Sequence, residues 1–191
     1  EKLDKAGFYY RITYRVKSND SILNKLLAKD YGREGSIYHD KKLQDLVGIR
    51  IILYFGDDIH AVKQLLDTLF TTEGEWETTE ASVYEFRARK VNGIFKIPEY
   101  LSKLIINPSL EDYIDDTFEI QLRTNAFEGW HEIEHDMHYK SSVFHEENSD
   151  LFRLMNSVLA TLELCDDSII RLLEDLGHYH YKMQKNRLLN I

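Results

Sequence analysis

Apolar residues along this chain follow two different periods, and each predicts its own kind of element. Residues 49–55 (IRIILYF) are an almost unbroken apolar, β-branched run closed by Gly48 and Gly56, the pattern of a buried strand. Residues 118–124 (FEIQLRT) alternate instead: Phe118, Ile120 and Leu122 face one way, and Glu119, Gln121 and Arg123 the other. Residues 84–97 (YEFRARKVNGIFKI) read as one or two further strands, with a hairpin turn expected near Asn92-Gly93.

Helical spacing accounts for most of the rest. In residues 18–29, Ser18 or Asn19 can cap a helix whose apolar stripe is Ile22, Leu23, Leu26 and Leu27. Residues 57–70 turn Ile59, Val62, Leu65, Leu66 and Leu69 inward. Another helix is expected from about residue 126 to 140, and residues 149–174 keep the period from Leu151 through Leu162 to Leu173. Strands mixed with helices predict an α+β fold, a mixed β-sheet flanked by α-helices with a helical C-terminal extension. The extension, residues 146–191, is expected to pack on its own domain or on a second subunit.

Composition narrows the class. Hydrophobic residues make up 43% and charged ones 30%, which suits a folded globular chain. No apolar run approaches the roughly 20 residues of a membrane span, so no membrane partner is expected. No basic-then-apolar leader follows Glu1, and the single Cys165 excludes an internal disulfide and a Cys-rich metal site. Both features suit a cytoplasmic location. A net charge of −9 argues against a broad nucleic-acid surface. The charge is unevenly spread, however. Basic residues gather at 1–33 and again at 86–103, while acidic residues collect at 73–85 and 111–119. Two basic zones in an acidic chain fit either small polyanions such as nucleotides or ordinary solvated surface.

Several residues carry candidate chemistry. Asp45 stands just before one strand and Glu119 on the polar face of another, an arrangement suited to Mg²⁺; a turn residue and a solvated strand residue would look the same. Arg50, alone in an apolar strand, needs either a carboxylate or a planar ligand to stack on. Arg15, Lys17 and Lys25 surround a helix N-terminus, where backbone N–H groups favour phosphate; capping with solvated lysines is the plainer reading.

Taken in order, RVKSNDSILNKL, LQDLVGIRIILYFGDDI and FEIQLRTNAFEGWHEIEHDMHYK resemble the RelA/SpoT-type synthetase domain of the (p)ppGpp synthetases, over roughly residues 10–145. The length resembles the small stand-alone members. The resemblance implies a nucleotidyltransferase-like fold over residues 1–145. It also implies a Mg²⁺-dependent transfer of pyrophosphate from ATP to the 3′-hydroxyl of GDP or GTP. On that reading Asp45 and Glu119 are the catalytic and metal residues. Arg15 and Arg50 sandwich the adenine, and Lys17, Ser18 and Lys25 lie at the phosphates. Gln121, Arg123, Glu134 and His135 match motif positions on the acceptor side. The family's N-G-Y-R-S-L-H loop is replaced by NGIFKIPEY, leaving Phe95, Arg87 and Lys96 as acceptor contacts. With that loop changed, an adenine nucleotide or a tRNA 3′ end remains an alternative acceptor, as in the toxic members with their antitoxin partners. A weakened regulatory module is a further alternative, and family analogy favours a homo-oligomer.

His131-Glu132-Ile133-Glu134-His135 is also a literal H-E-x-x-H, the spacing of a zinc protease helix. The extended form needs Gly at 138 and His at 141, where this chain has His138 and Ser141. The motif is therefore expected to serve the nucleotide site, with Trp130, Ile133 and Met137 packing inward.

Overall fold

The computed structural model describes residues 1–31, 34–36, 41–44, 46–79, 91–105, 113–140 and 149–189. Among the described residues, five strands form one mixed sheet. In spatial order they are β1 (Tyr10–Val16), β2 (Val47–Leu53), β5 (Thr117–Thr124), β4 (Val91–Lys96) and β3 (Glu77–Thr78). β2 and β5 run parallel, and the other neighbours are antiparallel. The helices are α1 (Lys2–Lys5), α2 (Asn19–Ala28), α3 (Asp58–Leu69), α4 (Glu99–Ile105), α5 (Asn125–Lys140) and α6 (Ser149–Leu189). This is the expected α+β architecture. Among the described residues no helix is long and apolar enough to cross a membrane.

Alternation along the strands sorts the side chains into two layers. Ile51 and Leu53 of β2, Ile120 and Leu122 of β5, and Phe95 of β4 meet Val62 and Leu66 of α3, with Leu3 of α1 closing the same core. On the opposite face, α5 and α6 cover one end of the sheet through Phe127, Trp130 and Leu159. Among the described residues no helix covers the other end of that face.

Three local expectations change. β1 was not foreseen, although Tyr10, Ile12, Tyr14 and Val16 alternate with Arg11, Thr13 and Arg15. Its apolar side runs along the sheet edge, and Ile12, Tyr14 and Val16 stay 52–81% exposed. α6 continues well past residue 174, to Leu189. Asn92-Gly93 is no hairpin turn: both lie inside β4, opposite Gln121 and Ile120 of β5. The first part of that expected hairpin, residues 84–90, lies outside the described residues.

Gly93 has a packing reason instead. A Cβ there would meet Phe95 at 2.8 Å and Trp76 at 3.0 Å. Trp76 is held over the strand by its Nε1, which donates to Asp67 Oδ1 at 2.8 Å. Gly93→Ala should therefore lower stability by about 1–3 kcal/mol through overpacking, read as a lower urea midpoint. An unchanged midpoint would show that Trp76 yields without cost.

Candidate active site

Cross-strand register gathers the polar residues of the open sheet face. One row runs across five strands: Thr13 pairs with Arg50, Arg50 with Gln121, Gln121 with Asn92, and Asn92 with Glu77. The neighbouring row is Arg15, Gly48, Glu119 and Ile94. All nine line a cleft of about 800 Å³, together with Tyr14, Lys17, Ile49, Glu75 and Glu128. That volume suits a nucleotide-sized ligand. Among the described residues, α5 and α6 cover only the far end of this face, which leaves the cleft beside them. It also deepens at Gly48, where a Cβ would meet nothing within 4 Å.

Arg50 has the carboxylate partner its setting requires. Its Nη1 donates to Glu128 Oε1 at 2.6 Å, and its Nε donates to Gln121 Oε1 at 3.3 Å. Gln121 in turn donates from Nε2 to Glu119 Oε2 at 3.0 Å. A continuous chain, Glu128–Arg50–Gln121–Glu119, thus crosses the cleft floor. The Arg50 and Glu128 side chains are only 27% and 14% exposed, so their ion pair is partly shielded from solvent. Charge is segregated along the cleft. Arg15 and Lys17 stand on the β1 side, and Glu75, Glu77 and Glu119 toward β3. Asn92 Oδ1 and Glu128 Oε2 are buried acceptors without a hydrogen bond among the described residues.

The expected site residues divide into groups. Arg15, Lys17, Arg50, Glu119 and Gln121 line the cleft. Gln121 reaches it with both ends of its amide already engaged. Ser18 caps α2, its Oγ accepting from Ser21 N at 3.3 Å. Lys25 Nζ donates to the carbonyl of Gln44 at 2.9 Å, tying α2 to the segment that enters β2. Lys96 pairs with Glu73 at 3.3 Å. Asp45 and Arg87 lie outside the described residues, as do the side chains of Glu134 and His135.

Phe95 must be reassigned. It is fully buried in the core with Gly93, because alternation along β4 sends Asn92 and Ile94 to the cleft instead. Arg123 is displaced too. It shares a face with Glu119 and Gln121 but sits beneath α5 and α6, 5% exposed, with Nη1 donating to the Leu122 carbonyl. Burial, and then the nearby Arg50, hold its pKa below the usual guanidinium value, with Glu119, Glu128 and Glu77 opposing them. Ile133 does not pack inward; it is 55% exposed. Glu75, Glu77, Asn92 and Glu128 were missed. The need for a carboxylate beside Arg50 was the one signal that pointed toward Glu128.

Residues 14–143 match the family described as a region found in RelA / SpoT proteins. The chain belongs to the RelA/SpoT family. It is 31% identical over 132 residues to GTP pyrophosphokinase YwaC of Bacillus subtilis (strain 168), a match covering 66% of this chain and 56% of that protein. This RelA/SpoT chain thus spans under two thirds of that relative's length. Among solved structures, smu.1046c of Streptococcus mutans UA159 superposes with a TM-score of 0.62 at 23% identity, over 94% of this chain and 86% of that one. Small alarmone synthetase 1 from Bacillus subtilis, solved bound to AMPCPP, gives a TM-score of 0.55 at 26% identity, over 87% and 78%. The same protein has been solved bound to its product pppGpp.

The ion pair at the centre of the cleft gives a direct test. In a double-mutant cycle of Arg50→Ala and Glu128→Ala, thermal unfolding should show a coupling of about 1–3 kcal/mol. Additive single effects would mean that the pair adds nothing beyond solvent screening.

Proposed function

We propose that this RelA/SpoT chain is a Mg²⁺-dependent pyrophosphokinase that uses ATP as donor and a guanosine nucleotide, GDP or GTP, as acceptor. Residues 1–145 form the synthetase domain and 146–191 its helical extension. The observation that carries the reading is the row Arg15–Gly48–Glu119. It sets a basic strand edge two strand spacings, of about 4.8 Å each, from a carboxylate across a glycine gap. Adenine and phosphates can lie along Arg15, Lys17 and Arg50, with the reacting phosphorus brought beside Glu119. The 3′-oxygen of the acceptor attacks the β-phosphorus of ATP, the bond from that phosphorus to the α,β-bridging oxygen breaks, and AMP leaves. Glu119 takes the hydroxyl proton.

The donor set fits Mg²⁺. Glu119 offers an oxygen, Oε1, with no hydrogen bond among the described residues, while Gln121 orients Oε2. No group of three metal-binding side chains forms among the described residues, so Asp45 and substrate phosphates would complete the shell, as a hard cation prefers. Bound there, the ion would neutralise the phosphate charge.

On the acceptor side, Glu75, Glu77 and the unpaired Asn92 Oδ1 all accept hydrogen bonds. Guanine presents N–H donors that suit them. These substrates correspond to a cytoplasmic enzyme. Ile94 in place of an aromatic residue favours a second reading, in which the same chemistry acts on an adenine nucleotide or on a tRNA 3′ end under the control of an antitoxin.

Purified protein incubated with ATP, Mg²⁺ and each of GDP, GTP, AMP, ADP and deacylated tRNA should release AMP fastest with a guanosine acceptor. Fastest release with tRNA or an adenine nucleotide establishes the second reading. ATP binding without turnover on any acceptor overturns both and leaves a regulatory module. Glu119→Gln and Asp45→Asn should each lower turnover about 100-fold or more with an unchanged melting temperature. Gly48→Val should also keep the fold while closing the floor of the cleft, lowering turnover by about 100-fold. A Gly48→Val enzyme with normal turnover would remove the row from the site.

A further inference from the structure

Gln121 stands between two neighbours of opposite demands. Arg50 can only donate hydrogen bonds, and an ionised Glu119 can only accept them. The amide answers both at once: Oε1 accepts from Arg50 Nε at 3.3 Å, and Nε2 donates to Glu119 Oε2 at 3.0 Å. A glutamine in an open cleft also has water as a competitor for each end. Its hold on Glu119 therefore depends on what fixes the guanidinium at its other end.

Glu128 is the firm end of that chain. Its contact with Arg50 Nη1, at 2.6 Å, is the shortest of the three and carries charge on both sides. Its side chain is only 14% exposed. Phe127 and Trp130, buried on either side of it in the sequence, seat α5 against Leu159. The contact from Arg50 to Gln121 is longer and made edge-on through Nε, so it forms only while the guanidinium is turned as Glu128 turns it.

We propose that Glu128 is a positioning residue for Glu119. Acting through Arg50 and Gln121, it holds the carboxylate with Oε2 on Gln121 and leaves Oε1 for the reacting groups. The inference rests on the reading of Glu119 as the reacting carboxylate, but the relay itself is a property of the free protein. Glu128→Met keeps the length of the side chain and removes the acceptor. It should lower kcat about 10–100-fold, with little change in KM for ATP or for the acceptor. Glu128→Gln still offers Arg50 an oxygen and should restore most of that loss. A raised KM for ATP at unchanged kcat would mean that Glu128 serves only a contact of Arg50 with ATP. A raised KM for the acceptor alone would mean that Glu128 binds the acceptor itself. Either result overturns the proposal.

Two further measurements separate a relay from local damage. Adding Glu128→Met to Gln121→Met should cost nothing more in kcat, because the path is already cut; additive losses overturn the proposal. In the free protein, the side-chain NH₂ signal of Gln121, identified in ¹⁵N spectra by its loss in Gln121→Met, should move in Glu128→Met and stay close to wild type in Glu128→Gln. This signal needs no turnover, so it tests the relay even if the chain proves not to be a pyrophosphokinase. An NH₂ signal that Glu128→Met leaves unmoved overturns the proposal even in an active enzyme. If Glu128→Met does not fold, Glu128→Asp, which draws the carboxylate back by one carbon, carries the same measurements.

Discussion

The pairing of β2 with β5 is the constraint on which the rest depends. β2 is too apolar to stand at an edge, so both of its sides must be hydrogen-bonded. β1 satisfies one side and β5 the other. Once Arg50 is opposite Gln121 and Gly48 opposite Glu119, every other cleft residue has its place, because a one-residue slip would turn all of these side chains into the core. The same register that buries Ile51, Leu122 and Phe95 against α3 therefore exposes Arg50, Glu119 and Asn92 on the opposite face.

Electrostatics inside the cleft follows from that packing. Arg50 stands in a strand where an unpaired guanidinium would be costly, and Glu128 from α5 meets it at 2.6 Å. Gln121 then links the pair to Glu119, so a residue of α5 influences a carboxylate three side chains away. The seat of α5 is itself set by Phe127 and Trp130 against Leu159 of α6. Orientation at the proposed reacting carboxylate is thus coupled to apolar packing at the far end of the sheet.

The open end of the cleft and the bare end of α6 share a cause. α5 and the first half of α6 together cover only part of one sheet face, and α6 then runs on beyond the domain. The uncovered sheet carries charged side chains and suits a polar ligand. The uncovered helix carries exposed leucines, among them Leu172 and Leu176.

The strands at 47–53 and 117–124 and the helices at 58–69 and 125–140 were legible in the sequence, because each buries a face strongly enough for its period to show. The family was legible as well, and so were four residues that line the cleft, Arg15, Lys17, Arg50 and Glu119, since they stand in contiguous motifs. Phe95 was misplaced because residues one apart on a strand face opposite ways, and only pairing with β5 determines which of Ile94 and Phe95 meets the core. Arg123 alternates correctly with Glu119 and Gln121, yet it lies under α5 and α6, a cover that no local pattern encodes. β1 alternates over residues 10–16 but was passed over, and as an edge strand it leaves Ile12, Tyr14 and Val16 largely exposed. Glu75, Glu77 and Glu128 appeared only as scattered acids along the chain. The sequence by itself determined which segments would have an apolar side. The tertiary structure decided what each polar side faces, because that depends on register and helix cover, which are contacts between residues distant in sequence.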